Sequence, residues 1–280
     1  MKIGIIGNGF VGKATKILKC KDIEILAYDI NPKLCEPNDL KLVDMKDCEI
    51  IFVSVPTPMN KDGSVYTCIV ESVLNDLGKI NFSNFIVIRS TVPPGTSDAL
   101  NCYFMPEFLT EKNFVQDFIN NPLWIYGLLN KNSDELFKQT IIKMINLAYT
   151  NNCIKSNKVT FMSNKEAEMV KYFRNTFLSV KVSYCNEIYE YCQKKGINYE
   201  NVRSIAALDD RIGLSHTTVP GHDCKFGFGG TCFPKDTNGL LSDMKKHNMK
   251  SYILESAIKR NEEVDRPEKD WNSNKGRAVV

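Results

Sequence analysis

The chain opens Met1-Lys2-Ile3-Gly4-Ile5-Ile6-Gly7-Asn8-Gly9-Phe10-Val11-Gly12. Lys2 to Ile6 reads as a short buried strand. The G-x-G-x-x-G after it runs into a helix with Ala14, Ile17 and Leu18 on one face. Gly7 allows the tight turn, Gly9 lets backbone approach a pyrophosphate, and Gly12 lets helix and strand pack closely. The helix N-terminus then faces the phosphates. The next strand, Ile25 to Tyr28, ends in Asp29, twenty-two residues after Gly7. A carboxylate there accepts hydrogen bonds from a ribose and disfavours a 2′-phosphate, so NAD is favoured over NADP. A bare glycine turn with a solvated aspartate would carry the same letters; the strand–turn–helix setting is what separates the two.

Working outward, Ile50 to Val55 is an unbroken apolar run of the kind that fills a central parallel strand. It ends in Pro56-Thr57-Pro58-Met59-Asn60, a rigid loop at a strand's carboxyl end, where open α/β sheets bind ligands. Phe85 to Ile88 is a fourth strand, followed by Arg89-Ser90-Thr91-Val92-Pro93-Pro94-Gly95-Thr96, which makes Thr91 a candidate to touch cofactor or substrate. Cys102 to Met105 reads as a fifth strand, leading to Pro106-Glu107-Phe108-Leu109-Thr110-Glu111. The two carboxylates there are either a site pair on one face of a turn or a helix-start charge pair. Leu123 to Gly127 makes a sixth strand and Asp134 to Leu147 an amphipathic helix. This alternation predicts an α/β fold, a Rossmann-type doubly wound parallel sheet over residues 1–155.

The remainder is expected to be all-helical, a central and dimerisation domain over 156–265, with a polar tail over 266–280. Ser163-Asn164-Lys165-Glu166 is a capping box. No Pro or Gly follows until Gly196, so about 33 residues can form a spine helix of roughly 50 Å. Ala167, Val170, Phe173, Phe177, Val180, Tyr184, Ile188 and Tyr191 recur at three and four, which predicts one buried apolar face and, through the 163–195 helix, a homodimer. Lys171 and Asn175 lie four apart on it; a lysine in so apolar a segment is costly unless paired or working, and a solvated lysine is the plainer alternative. Further helices are expected over Asn198–Leu208 and Ile253–Val264.

Between them lies Gly227-Phe228-Gly229-Gly230-Thr231-Cys232-Phe233-Pro234-Lys235-Asp236. Three glycines in four residues allow close approach to a ligand. Pro234 suits a helix start, with Leu240, Leu241 and Met244 continuing to about Lys246. Cys232 then sits just before a helix N-terminus with Lys235 three residues on, both of which favour the nucleophilic thiolate. Asp236, four residues away, is placed to handle a proton. A buried, inert cysteine beside a glycine turn is the alternative.

With 280 residues the chain has room for two domains. A net charge of +3 argues for neither nucleic acid nor a membrane surface, and no apolar run is long enough to span a bilayer. Met1-Lys2 followed directly by a strand reads as a mature start. Ten scattered cysteines without a C-x-x-C pair suggest reduced thiols in a cytoplasmic setting, and no Cys/His cluster has metal-ligand spacing. His216, His222 and His247 read as loop or surface residues.

The motifs GNGFVG, VSVPTP with NKDGS after it, STVPPGT, MPEFLTE, AEMVKYFRNTFLSVKVSYCNEI, DDRIG and FGFGGTCFPKD cover about residues 1–265. In content and order they resemble the UDP-glucose/GDP-mannose dehydrogenase family. The last two motifs and the K-x-x-x-N helix are specific to it; the glycine fingerprint alone is not. The resemblance implies a four-electron oxidation of a nucleotide-sugar C6 alcohol to the uronic acid with two NAD reduced, UDP-glucose being the preferred substrate. It implies that Cys232 carries a thiohemiacetal and then a thioester, that Lys171 stabilises the oxyanion, and that Asn175 bonds the reacting oxygen. Asp236 and Thr91 would position water and relay protons, and Glu111, with Glu107 nearby, would assist hydrolysis. Gly7, Gly9, Phe10, Val11, Gly12, Asp29, Pro56, Thr57, Thr91 and Lys235 would contact NAD. Glu107, Phe108, Leu109, Lys171, Asn175, Arg211, Phe226 and Gly229 would line the sugar site. Family members carry a third domain that binds much of the nucleoside diphosphate, and this chain reaches Val280 where that domain's first strand is expected.

Two other functions compete. A non-catalytic NAD-binding or assembly protein accounts for the spine helix and a missing third domain but not for Cys232, Lys171 and Asp236 together. A two-electron β-hydroxyacid dehydrogenase accounts for a lysine and an asparagine on one helix but leaves Cys232 unexplained.

Overall fold

The computed structural model describes all of residues 1–280 and divides into two compact units, residues 1–57 with 67–171, and residues 58–66 with 172–280. In the first unit the strands are β1 (Lys2–Ile6), β2 (Glu24–Tyr28), β3 (Ile50–Val53), β4 (Phe85–Ile88), β5 (Tyr103–Phe104), β6 (Trp124–Leu128) and β7 (Val159–Ser163). They form one sheet in the order β2-β1-β3-β4-β5-β6-β7. Every pairing is parallel except β5 with β6, so the doubly wound sheet is mixed rather than wholly parallel.

Side-chain alternation explains the apolar runs. Ile3, Ile5, Ile25, Ala27, Ile50 and Phe52 point into one core, while Ile6, Leu26, Ile51 and Val53 point into another on the opposite face. A strand covered on both sides has no polar face to show. Helix α1 (Phe10–Thr15) covers the first face, α2 (Cys68–Lys79) helps cover the second, and α5 (Asp134–Thr150) packs Phe137, Ile141, Met144 and Ile145 into the first. Two short helices, α3 (Thr96–Ala99) and α4 (Phe114–Ile119), complete the unit. The order places β1 beside β3, so the chain leaves the sheet in different directions at that point and the loops after the two strands meet. A Cβ on Gly7 would stand 2.7 Å from the Ser54 carbonyl oxygen.

Helix α6 (Asn164–Lys195) follows β7 without a loop, and the Ser163 capping box forms: the Ser163 amide and hydroxyl donate to Glu166 at 2.8 and 2.7 Å. Its first two turns belong to the first unit and the rest to the second. The second unit adds α7 (Tyr199–Ala206), α8 (Phe233–Lys246) and α9 (Tyr252–Arg260), which ends in a π turn at Asn261–Asp265.

The expected apolar face of α6 is buried at Ala167 and half-buried at Val170, Val180 and Ile188, but its aromatics face out. Phe173, Phe177, Tyr184 and Tyr191 are all more than half exposed, whereas Asn164, Glu168, Lys171, Asn175, Thr176, Ser179, Ser183 and Asn186 are buried. Polar groups can occupy the inner side because they find partners there: Thr176 and Ser179 hydroxyls donate to the carbonyls four residues back, and Ser179 also accepts from Thr237 at 2.9 Å. The aromatic stripe faces outward. Residues 266–280 are packed rather than loose: Trp271 and Ala278 are buried, and the 58–66 segment pairs with the C-terminus through Met59 N to Ala278 O at 2.9 Å and Val280 N to Met59 O at 3.0 Å.

Candidate functional site

In the first unit the glycine turn has the geometry its spacing predicts. The Gly7 amide donates to the Tyr28 carbonyl at 2.9 Å with φ of +90°, a left-handed conformation that favours glycine. A Cβ on Gly12 would lie 2.1 Å from the Gly7 oxygen, so helix and turn touch there. A Cβ on Gly9 would meet nothing within 4 Å. That open face is room for a pyrophosphate, and the residues present fit an NAD cradle. Asp29 receives the Asn8 amide at 2.7 Å and the Asn31 amide at 2.9 Å, which fixes the carboxylate at the strand end. Phe10 packs its ring near Phe114, and the Val11 carbonyl accepts the Thr15 hydroxyl.

The strand-end loops are tied to one another. The buried Thr57 hydroxyl donates to the Thr91 carbonyl at 2.8 Å, next to the exposed Pro56, and the Ser90 hydroxyl donates to the Val55 carbonyl at 2.6 Å. Arg89, fully buried, donates to the Thr15 hydroxyl and lies over the Phe118 ring at 5.7 Å. Burial pushes its guanidinium below the ordinary arginine range, partly offset by Glu107.

Lys171 is buried and paired. Its Nζ donates to Glu107 Oε1 and to the Glu107 carbonyl, both at 2.6 Å, and lies 5.8 Å from the Phe108 ring centre. The other Glu107 oxygen accepts the Leu109 amide at 2.9 Å. A buried ammonium is tolerable when its charge and protons are matched in this way. Glu111 is exposed, so Glu107 and Glu111 do not share one environment.

In the second unit Cys232 is the N-cap residue of α8, half-buried, with the Thr231 hydroxyl 3.8 Å from Sγ. None of the ten cysteines is in a disulfide. Its carbonyl accepts the Asp236 amide at 2.8 Å, the first bond of the helix. Asp236 is fully buried and held between two donors, Lys235 Nζ at 2.5 Å and Asn175 Nδ2 at 2.5 Å. Lys235 is therefore committed to Asp236. Asn175, Lys235 and Asp236 form one cluster at the start of α8.

The glycine loop before Cys232 is braced by residues the sequence reading passed over. Asn186 accepts the Gly227 amide at 3.1 Å, and Asn261 accepts the Phe228 amide at 2.7 Å and donates to its carbonyl at 2.9 Å. A Cβ on Gly229 would fall 2.5 Å from the Arg266 guanidinium carbon. Arg266 is itself locked by Asp270 at 2.9 Å and Asp223 at 2.5 Å. Phe226 is partly exposed with its ring 5.7 Å from Tyr189. Arg211 projects into solvent and pairs with Asp209.

Residues 33–145 match the NAD binding domain of the UDP-glucose/GDP-mannose dehydrogenase family, and residues 165–263 match that family's central domain. The UDP-glucose 6-dehydrogenase of Rickettsia typhi is 30% identical over 302 residues, 93% of this chain and 67% of the relative. The chain belongs to the UDP-glucose/GDP-mannose dehydrogenase family. The first unit thus carries a family NAD domain, in keeping with the open glycine turn. The UDP-glucose 6-dehydrogenase of Rickettsia bellii is 32% identical over 232 residues, 79% of this chain but 50% of that protein. The chain spans about half to two thirds of the length of the first curated relatives it matches. Among solved structures, a UDP-glucose dehydrogenase from Pyrobaculum islandicum superposes with a TM-score of 0.78 at 24% identity, covering 93% of this chain and 68% of that one, which establishes the shared fold. No helix is long and apolar enough to cross a membrane, and no group of three or more His, Cys, Asp or Glu is arranged to hold a metal ion.

Proposed function

We propose that this chain oxidises the C6 alcohol of a nucleotide sugar to the uronic acid, UDP-glucose being the leading substrate, with Cys232 as the covalent nucleophile. The observation that carries this is Cys232 at the N-cap of α8 beside the buried Asn175–Lys235–Asp236 cluster. Hydride transfer alone needs no thiol, whereas oxidation past the aldehyde needs a way to hold it. NAD, when bound, supplies the hydride acceptor for both oxidations. Cys232 Sγ adds to the C6 aldehyde to give a thiohemiacetal; its oxidation leaves a thioester, and water opens that to the acid and restores the thiol. Peptide N–H groups at the helix start favour the thiolate.

The remaining roles follow the family resemblance. Lys171 would hold the developing oxyanion, Asn175 the reacting oxygen, and Asp236 with Thr91 the water and its proton. Glu107 and Glu111 would assist hydrolysis. In the first unit Gly7, Gly9, Gly12, Asp29, Pro56 and Thr57 would bind NAD, and in the second Arg211, Phe226 and Gly229 would face the sugar. The exposed aromatics of α6, Phe173 and Phe177 stacked at 6.3 Å among them, suit a second copy of this chain.

Trapping tests the chemistry. With saturating UDP-glucose and NAD, mass spectrometry of the intact chain should find a sugar-nucleotide adduct on Cys232 that is absent from Cys232→Ser. Turnover of the sugar without any adduct, undiminished in Cys232→Ser, would remove the covalent step.

A further inference from the structure

The inner side of α6 carries Asn164, Glu168 and Lys171 at four- and three-residue spacing, and each reaches a strand-end loop of the first unit. Asn164 Nδ2 donates to Asp98 at 2.8 Å and to the Cys102 carbonyl at 2.9 Å. Lys171 holds Glu107. Between them Glu168, with no exposed surface, accepts the Gly95 amide at 2.5 Å and the Ser97 amide at 2.8 Å, one on each carboxylate oxygen. Those amides open α3, directly after the Thr91-Val92-Pro93-Pro94 stretch. The other end of the stretch is fixed by Thr57 and Ser90.

We propose that Glu168 is a positioning residue for Thr91: by gripping the Gly95 and Ser97 amides it fixes the loop that presents Thr91 at the end of β4, in register with Lys171 one helical turn away. This rests on the role given above to Thr91 and Lys171. A carboxylate suits the task because both its oxygens accept, and two N–H donors need two acceptors. An amide in its place would satisfy one N–H and point its own NH2 at the other. Gly95, at φ of +95° and with only the Lys165 Cε within 4 Å of where a Cβ would stand, is conformationally free, so the grip rather than packing fixes it. Burial pushes the Glu168 carboxyl up to about 7, with Asp98 adding to the rise; the other charged neighbour of this corner is Lys165, whose Cε lies 3.4 Å from where a Gly95 Cβ would stand. Protonation therefore competes with the grip near neutrality.

The test uses the full chain, with Glu168→Gln and Glu168→Asp as variants and selectively 15N-labelled glycine and serine as reporters. In Glu168→Gln, Gly95 and Ser97 amide exchange should accelerate by about tenfold or more, the scale of one charge-assisted hydrogen bond lost. NAD affinity and sugar KM should stay within about threefold while kcat falls by about tenfold, and Glu168→Asp should recover part of both losses. Wild-type Gly95 and Ser97 amides should exchange slowly compared with amides of the exposed loops, and fast exchange there would overturn the proposal even if the variants fail to fold. Unaltered exchange in Glu168→Gln, or accelerated exchange with kcat unchanged, would overturn the proposal. A wild type that grips these amides but oxidises no nucleotide sugar would instead sink the proposed function and leave the grip standing.

Discussion

Lys171 and Glu107 are each buried and each supply the other's charge at 2.6 Å. Removing the Lys171 ammonium leaves the buried Glu107 carboxylate without its ion-pair partner, so Lys171→Met should cost about 3–5 kcal/mol of stability by urea denaturation. The double variant Lys171→Met/Glu107→Gln should recover part of that loss, and a double-variant loss equal to the sum of the two single losses would show the pair to be uncoupled. Glu168 acts with the opposite sign to most carboxylates. Its folded-state carboxyl is pushed up to about 7 from an ordinary 4.5 because burial outweighs the two amide bonds. The folded chain therefore holds a proton that the unfolded chain releases, and the stability this gives is present below about pH 4.5 and is lost as pH rises through about 7. The loss amounts to at most about 3 kcal/mol. Glu168→Gln should flatten the stability profile between about pH 5 and 8 relative to wild type; an unchanged slope would refute the assignment.

At the scale of elements, the glycine loop and α8 act as one piece. Gly229→Ala would drive a methyl into the Arg266 guanidinium, and Gly227→Ala would meet Asn261 Oδ1 at 2.2 Å from a positive-φ position. Both should destabilise by about 1–3 kcal/mol. Gly230→Ala has no neighbour to strike but sits at φ of +74°, so its smaller loss isolates the backbone contribution in the same denaturation series. Much of this was legible in the letters. The β1 and β4 bounds follow from their apolar runs, and Cys232 at a helix start follows from Pro234. What was hidden has a common cause. The inner side of α6 mixes Ala167, Tyr172, Cys185 and Cys192 with many polar residues, and Asn164, Glu168, Lys171 and Asn175 recur there at helical spacing as an apolar stripe does, so a search by hydrophobicity picks the aromatic side instead. The period was present and the sign of the polarity misled. Strand β7 runs straight into α6, so no turn residue marks its end, and β5 is only two residues long, so the apolar run 102–105 overstates it. Asn186, Asn261 and Arg266 act on the glycine loop from far along the chain, and no local pattern marks them.

For the whole molecule, the exposed aromatics of α6 form an apolar stripe along one helix. Phe173 and Phe177 are 63% and 58% exposed. If a second copy covers them, Phe173→Glu/Phe177→Glu should shift the chain from dimer to monomer by sedimentation velocity while leaving its circular dichroism unchanged. A wild type that stays monomeric at about 100 μM would refute the dimer, since stable interfaces of this kind bind well below that concentration. The proposed reaction is one four-electron oxidation that uses both the Cys232 thiol and NAD. The most direct measurement is the number of NADH formed per UDP-glucose consumed by the purified chain. Two NADH per sugar, falling away in Cys232→Ser, is the predicted result. One NADH per sugar, insensitive to Cys232→Ser, or no NADH from a chain that still binds NAD, would contradict it.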